Sequence, residues 1–204
     1  MGSTDHDQAF HLGADHVNSG RLAEALAVFE QLVESDLDDF GKAMACVNAA
    51  VVNDKMGRVD EALRWYERGI RLERSLDRYT VALHRANYYV EKERWTDALS
   101  AVQSLVASGI SDLDKANACL QAAAVSEKLA RTADALAWYD RGISYERQHS
   151  RVYVAEHKAA YLADKGRPAD ALNLYKRLLS ESSLTEADKD RIRSNVAILE
   201  GKAR

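Results

Sequence analysis

The residues best suited to metal chemistry crowd the start of the chain, where Asp5-His6-Asp7 is followed by His11 and His16. Carboxylates and imidazoles bind zinc and related ions when three or four of them converge on one point. These spacings do not put three ligands on one helical face, and no Cys accompanies them. The stretch reads instead as a frayed, acidic first turn that suits the positive end of a helix dipole. Cys46 and Cys119 lie too far apart for a disulfide if they sit on helices two repeats distant, since packed helices are about 8–10 Å apart. Each reads as a small buried apolar residue. No phosphate-binding glycine loop, no His-Glu-x-x-His and no nucleophile elbow is present. The expectation is a protein without catalysis, metal or cofactor.

Something must nevertheless position these side chains, and it is a repeat. Gly57-Arg58-Val59-Asp60-Glu61-Ala62-Leu63-Arg64-Trp65-Tyr66-Glu67-Arg68-Gly69-Ile70 returns as Ala130-Arg131-Thr132-Ala133-Asp134-Ala135-Leu136-Ala137-Trp138-Tyr139-Asp140-Arg141-Gly142-Ile143. Ala-Leu pairs recur at 25/26, 62/63, 98/99, 135/136 and 171/172. A fixed period in this range marks an α-α solenoid of stacked helix pairs. Ala62, Leu63, Tyr66, Gly69 and Ile70 form one apolar stripe, flanked by Asp60, Glu61, Arg64, Glu67 and Arg68.

The pattern predicts helix pairs at 5–19 and 22–35, 40–56 and 59–75, 78–92 and 95–108, 112–129 and 132–148, and 151–165 and 168–181. Turn-like connections join them, among them Glu34-Ser35-Asp36, Ser108-Gly109-Ile110-Ser111 and Glu181-Ser182-Ser183. These make five repeats, about 5–37, 38–76, 77–110, 111–149 and 150–183, in one domain spanning 1–204. A capping helix near 185–200 starts with Thr185 and Asp188 in capping-box spacing and has Ile192, Val196 and Leu199 as its apolar face. Between Leu32–Gly57 and Leu105–Ala130, twelve of twenty-six residues are identical. The unit of duplication is therefore two helix pairs.

Composition agrees with helix after helix, since Pro occurs once in 204 residues and Gly ten times. A net charge of −4 makes no basic field for nucleic acid. No run of 18 apolar residues suggests a membrane span. The first residues carry no secretory pattern, His6 stands where a lipidation signal wants Ser or Thr, and Met1 to Thr4 equally suit a cloning remnant. A cytoplasmic location is the expectation.

Gly-Arg-x-x-Glu/Asp-Ala-Leu-x-x-Phe/Tyr opening a second helix resembles the tetratricopeptide repeat (TPR). Gly20, Ala25 and Phe29 fit it, as do Gly57, Ala62 and Tyr66, and Gly166, Ala171 and Tyr175; Leu12-Gly13 and Trp95 fit as well. The period of 36–37 exceeds the family's 34, the closing proline is missing, and His16, Asn53 and Ser126 replace a late aromatic that Tyr89 keeps. The resemblance implies a right-handed all-α superhelix that binds a peptide or helix of another protein along a concave face lined by first helices. It brings His11, Asn48, His84, Gln121 and His157 to one groove position, with Asn87 nearby. Phe10, Val47, Leu83 and Leu120 become apolar neighbours. Such a ladder can donate and accept hydrogen bonds along an extended peptide; equally, it can be a solvated helix face copied by duplication.

In the co-chaperone branch of the family, Lys, Asn and Arg clamp a C-terminal carboxylate. The corresponding windows here are Phe10, Ala14, Asn48, Thr80, His84; then Val47, Val51, His84, Asn117, Gln121; then Leu83, Asn87, Gln121, Tyr153, His157. They hold no such cations, so chaperone-tail binding is not expected.

Trp65 and Trp138 stand one position off the stripe. They read either as indoles packed under the second helix near Leu72 or Tyr145, or as anchors of an interface. The leading expectation is an adaptor that binds a partner protein. The alternative is a scaffold that self-associates through the tryptophan face or the solenoid ends.

Overall fold

A computed structural model describes residues 3–76, 78–181 and 184–202; Met1, Gly2, Asp77, Ser182, Ser183, Ala203 and Arg204 lie outside the described residues. Eleven helices are seen among the described residues: α1 (Ser3–Asn18), α2 (Leu22–Glu34), α3 (Asp39–Lys55), α4 (Val59–Arg74), α5 (Thr80–Glu91), α6 (Trp95–Val106), α7 (Asp112–Lys128), α8 (Thr132–Arg147), α9 (Tyr153–Asp164), α10 (Pro168–Leu179) and α11 (Glu186–Lys202). Every end lies within two residues of its sequence-derived position. The chain divides into two compact units, Met1–Arg94 and Trp95–Arg204.

Within each pair the turn is the same. A residue in the left-handed region closes the first helix, and the following Arg N–H reaches back to a carbonyl five residues earlier. Arg58 donates to Asn53 O at 2.8 Å, and Arg131 to Ser126 O at 2.8 Å. Glycine occupies the left-handed place at Gly20, Gly57 and Gly166, with φ of 72°, 76° and 73°. Glu93 and Ala130 adopt the same conformation with φ of 55°, at some conformational cost because of their Cβ atoms.

The starts of the first helices alternate between two kinds of cap. Asp38 accepts from Gly41 N at 2.7 Å, Ser111 from Asp114 N at 3.2 Å and Thr185 from Asp188 N at 3.1 Å. These are local N-caps, and the third is the expected capping box. By contrast α5 and α9 begin after Tyr79 and Val152, which supply no side-chain cap bond. Their orphan donors are met from the preceding second helix. Glu73 Oε2 and Oε1 accept from Val81 N and Ala82 N at 2.8 and 3.0 Å. Glu146 does the same for Val154 N and Ala155 N at 2.8 and 2.9 Å. Both carboxylates are buried, at 1% and 2% exposure.

Close packing surrounds these clamps. A Cβ on Gly69 would lie 2.9 Å from Val81 Cγ1 and 3.1 Å from Cys46 Cβ, and Gly142 faces Val154 and Cys119 at the same two distances. Glycine here lets α3, α4 and α5 meet, and likewise α7, α8 and α9. Tyr66 packs on Tyr88 with ring centroids 5.5 Å apart, and Tyr139 on Tyr161 at 5.7 Å. Beyond them, Ile192 of α11 is fully buried, and Val196 and Leu199 pack on the cluster around Leu162, Tyr175 and Leu178. Burial pushes the Cys46 and Cys119 thiols up to about 11, which makes them inert packing groups.

Burial also pushes the Glu73 and Glu146 carboxyls above their ordinary value of 4.5, although the backbone N–H bonds pull the other way. The folded protein therefore binds these protons more tightly than the unfolded chain, so their contribution to stability falls as pH rises from 4.5 through the raised folded-state value. Glu73→Gln and Glu146→Gln replace one accepting oxygen by an amide that faces a donor. In urea unfolding each variant is expected to lose about 1–3 kcal/mol. The deficit against the parent should shrink as pH rises; a deficit independent of pH would contradict the raised carboxyl.

Candidate functional site

The five residues expected in the groove all lie on first helices. His11, His84 and His157 are exposed, while Asn48 and Gln121 are half-buried. The first unit holds His11 on α1, Asn48 on α3 and His84 on α5; the second holds Gln121 on α7 and His157 on α9. Asn87 is exposed one turn beyond His84.

Two of these side chains are oriented by their own helices. Asn48 Nδ2 donates to Met44 O at 3.1 Å, so its carbonyl oxygen and one N–H point elsewhere. His157 Nδ1 lies 2.9 Å from Tyr153 O. A carbonyl only accepts, so the bond puts a proton on Nδ1, and in the neutral imidazole Nε2 is then an acceptor.

The apolar neighbours expected beside the ladder are placed differently. Val47 is 7% exposed and belongs to the core with Tyr66 and Tyr88. Phe10 packs on the cluster of Phe29, with ring centroids 6.4 Å apart, and Leu120 packs on the cluster of Tyr139. Leu83 is half-buried. The exposed apolar groups are instead Val51, at 38%, one turn beyond Asn48, and Tyr153, at 54%, one turn before His157. Tyr153 meets the His157 ring edge-on at 4.4 Å. Their spacing from the ladder residues was the available signal, because i±3 and i±4 positions share a helix face.

At the other face, Trp65 and Trp138 are half-buried. Trp65 packs against the clusters of both Phe29 and Tyr66, and Trp138 against that of Tyr139. Arg68 covers Trp65 and Arg141 covers Trp138, each with its guanidinium 5.4 Å from the ring centroid. The start of α1 also differs from the frayed turn expected. His6 is buried, and its Nε2 lies 2.9 Å from Asp36 Oδ1, which ties α1 to the connection after α2. Among the described residues no group of three His, Cys, Asp or Glu side chains could hold a metal ion, and no helix is long and apolar enough to cross a membrane.

Two family models match the chain, Tetratricopeptide repeat over residues 11–75 and Tetratrico peptide repeat over 92–183, between them well over half of it. The chain belongs to the tetratricopeptide-repeat family. No curated protein matches it by sequence. Among solved structures, PilF of Pseudomonas aeruginosa is similar over 95% of this chain and 88% of its own, with a TM-score of 0.57 at 16% identity. MamA is similar over 90% and 96%, with a TM-score of 0.56 at 13% identity. A Signal Transduction ATPase with Numerous Domains protein with a tetratricopeptide repeat sensor, from Pyrococcus horikoshii, is similar over 84% of this chain and 28% of its own, with a TM-score of 0.57 at 11% identity. At these identities the likeness is one of fold, an α-α solenoid. TPR proteins are generally protein-interaction scaffolds.

The tryptophans give a test of packing against interface. Trp65→Ala and Trp138→Ala are each expected to destabilise the TPR fold by about 2–4 kcal/mol, as a loss of buried aromatic surface does. Light scattering should give the same mass before and after. A loss of self-association without loss of stability would reverse the assignment.

Proposed function

We propose that this TPR protein is a non-catalytic adaptor that binds an extended peptide segment of a partner protein on the face of its first helices, the concave face in this family. The observation that carries the reading is the recurrence, in both units, of exposed or half-exposed neutral hydrogen-bonding side chains at one repeat position. Acceptors such as His157 Nε2 and the Asn48 carbonyl oxygen suit the N–H groups of a peptide backbone. Val51 and Tyr153 add exposed apolar surface on the same face.

The test is the variant Asn48→Ala, His84→Ala, Gln121→Ala with a partner captured from native cell extract. Affinity should fall about tenfold or more, since each lost hydrogen bond is worth ~0.5–1.5 kcal/mol. The far-UV circular dichroism should stay unchanged. Full affinity in the variant would discard the ladder.

A second reading is self-association through outer helix faces, favoured by Leu12 on α1 at 49% exposure and Ile198 on α11 at 54%. Ala49, the counterpart of Leu12 one repeat later, is fully buried. Self-association predicts a molar mass that rises with concentration in light scattering and returns to the monomer value in Leu12→Ser, Ile198→Ser. A constant monomer mass in the parent would rule it out.

A further inference from the structure

The connection before α9 solves a problem differently from its counterpart before α5. Arg78 and Arg151 correspond by the duplication, and their backbones behave alike. Arg78 N donates to Glu73 O at 3.2 Å, and Arg151 N to Glu146 O at 3.3 Å. Their side chains diverge. The Arg78 guanidinium lies 4.1 Å over the Phe40 ring, whose face holds a cation. The residue corresponding to Phe40 is Leu113, which has no such face. Arg151 is exposed and has no acidic partner among the described residues.

Arg151 lines a cleft of about 410 Å³ between this connection and the first turns of α11, with His149, Tyr153, Thr185, Asp188 and Arg191. That volume falls in the range of ligand pockets, roughly 300–1,000 Å³. The one carboxylate in the lining, Asp188, is already engaged. It accepts from the Thr185 hydroxyl at 2.6 Å and from Arg191 Nη2 at 2.7 Å, and these bonds hold its carboxyl below the usual range. Arg191 is engaged too, since its Nε reaches both oxygens of Glu156 at 2.9 and 3.1 Å. Arg151 and His149 keep their side-chain donors. Tyr153, half of its surface exposed, joins the cleft to the His157 face.

We propose that this cleft seats a carboxylate side chain from an acidic segment of the protein partner, with the segment continuing across Tyr153 onto the His157 face. The proposal rests on the adaptor reading above. A free guanidinium presents a planar fork of donors that matches a carboxylate. One free guanidinium beside Asp188 suits a monoanion better than a dianionic phosphate. Of the positions where TPR carboxylate clamps place their cations, this cleft includes Tyr153, which carries no charge; the cation that reads the acid here is Arg151, which is not one of those positions.

The test is fluorescence anisotropy of the full chain with fluorescein-labelled deca-glutamate, deca-glutamine and a phosphoserine-containing decapeptide. Deca-glutamate should bind about tenfold or more tightly than deca-glutamine, as charge-assisted bonds are stronger than neutral ones. Arg151→Gln should weaken deca-glutamate at least about fivefold, while Arg78→Gln, at the ring-held counterpart, should leave it within about twofold. Unchanged binding in Arg151→Gln, or an equal loss in Arg78→Gln, overturns the proposal. An Arg151-dependent preference for the phosphoserine peptide overturns the choice of a carboxylate. The Asn48→Ala, His84→Ala, Gln121→Ala variant should retain deca-glutamate, so failure of the cleft and failure of the ladder are told apart.

Discussion

A buried carboxylate at the end of a second helix holds the start of the next first helix. Glu73 and Glu146 sit in the last turn of α4 and α8, where the helix's own dipole disfavours negative charge. They are stable there because two N–H groups of the following helix turn toward each one, at 2.8–3.0 Å. An unmet pair of buried backbone donors and an unmet buried carboxylate would each be costly alone; together they satisfy each other. The direction in which α5 and α9 leave α4 and α8 follows from that bond.

The same clamp gives a physical reason for the double period. Helices α3, α7 and α11 bring their own caps, Asp38, Ser111 and Thr185, whereas α5 and α9 borrow theirs. A borrowed cap needs the two helices to approach closely, and Gly69 and Gly142 allow it by leaving room for Val81 and Val154. Clamp, glycine and tyrosine pair recur together 73 residues apart, as one inherited packing solution. The departures between the copies are informative for the same reason. Exchange of Phe40 for Leu113 leaves the backbone unchanged and alters only where an arginine rests.

With their small and aromatic residues spent on packing, the first helices keep for solvent a face of imidazoles, carboxamides and little charge. Asn48 and His157 show how such a face is given direction. Each bonds a carbonyl of its own helix, which fixes the orientation of the side chain. Val51 and Tyr153 add exposed apolar surface beside them.

The repeat alone determined the helices, their order, the capping-box spacing at Thr185 and the apolar face of α11. Each of these depends on local spacing or on one residue's backbone preference, which a linear sequence states directly. The shared register of His11, Asn48, His84, Gln121 and His157 was legible too, because residues one repeat apart occupy like positions. Their apolar neighbours were not. Phe10, Val47 and Leu120 look like groove residues by position, yet they pack inward, since which flank of a helix is covered depends on where its neighbours cross. For Trp65 and Trp138 the sequence leaves core and interface open, and the structure adds that both are half-buried with the Arg68 and Arg141 guanidinium groups over their rings. Glu73 and Glu146 were invisible in sequence, where an acid among arginines reads as solvated. Only tertiary structure could decide them, because their partners are backbone N–H groups of another helix, and the one-dimensional pattern carries no mark of a main-chain donor.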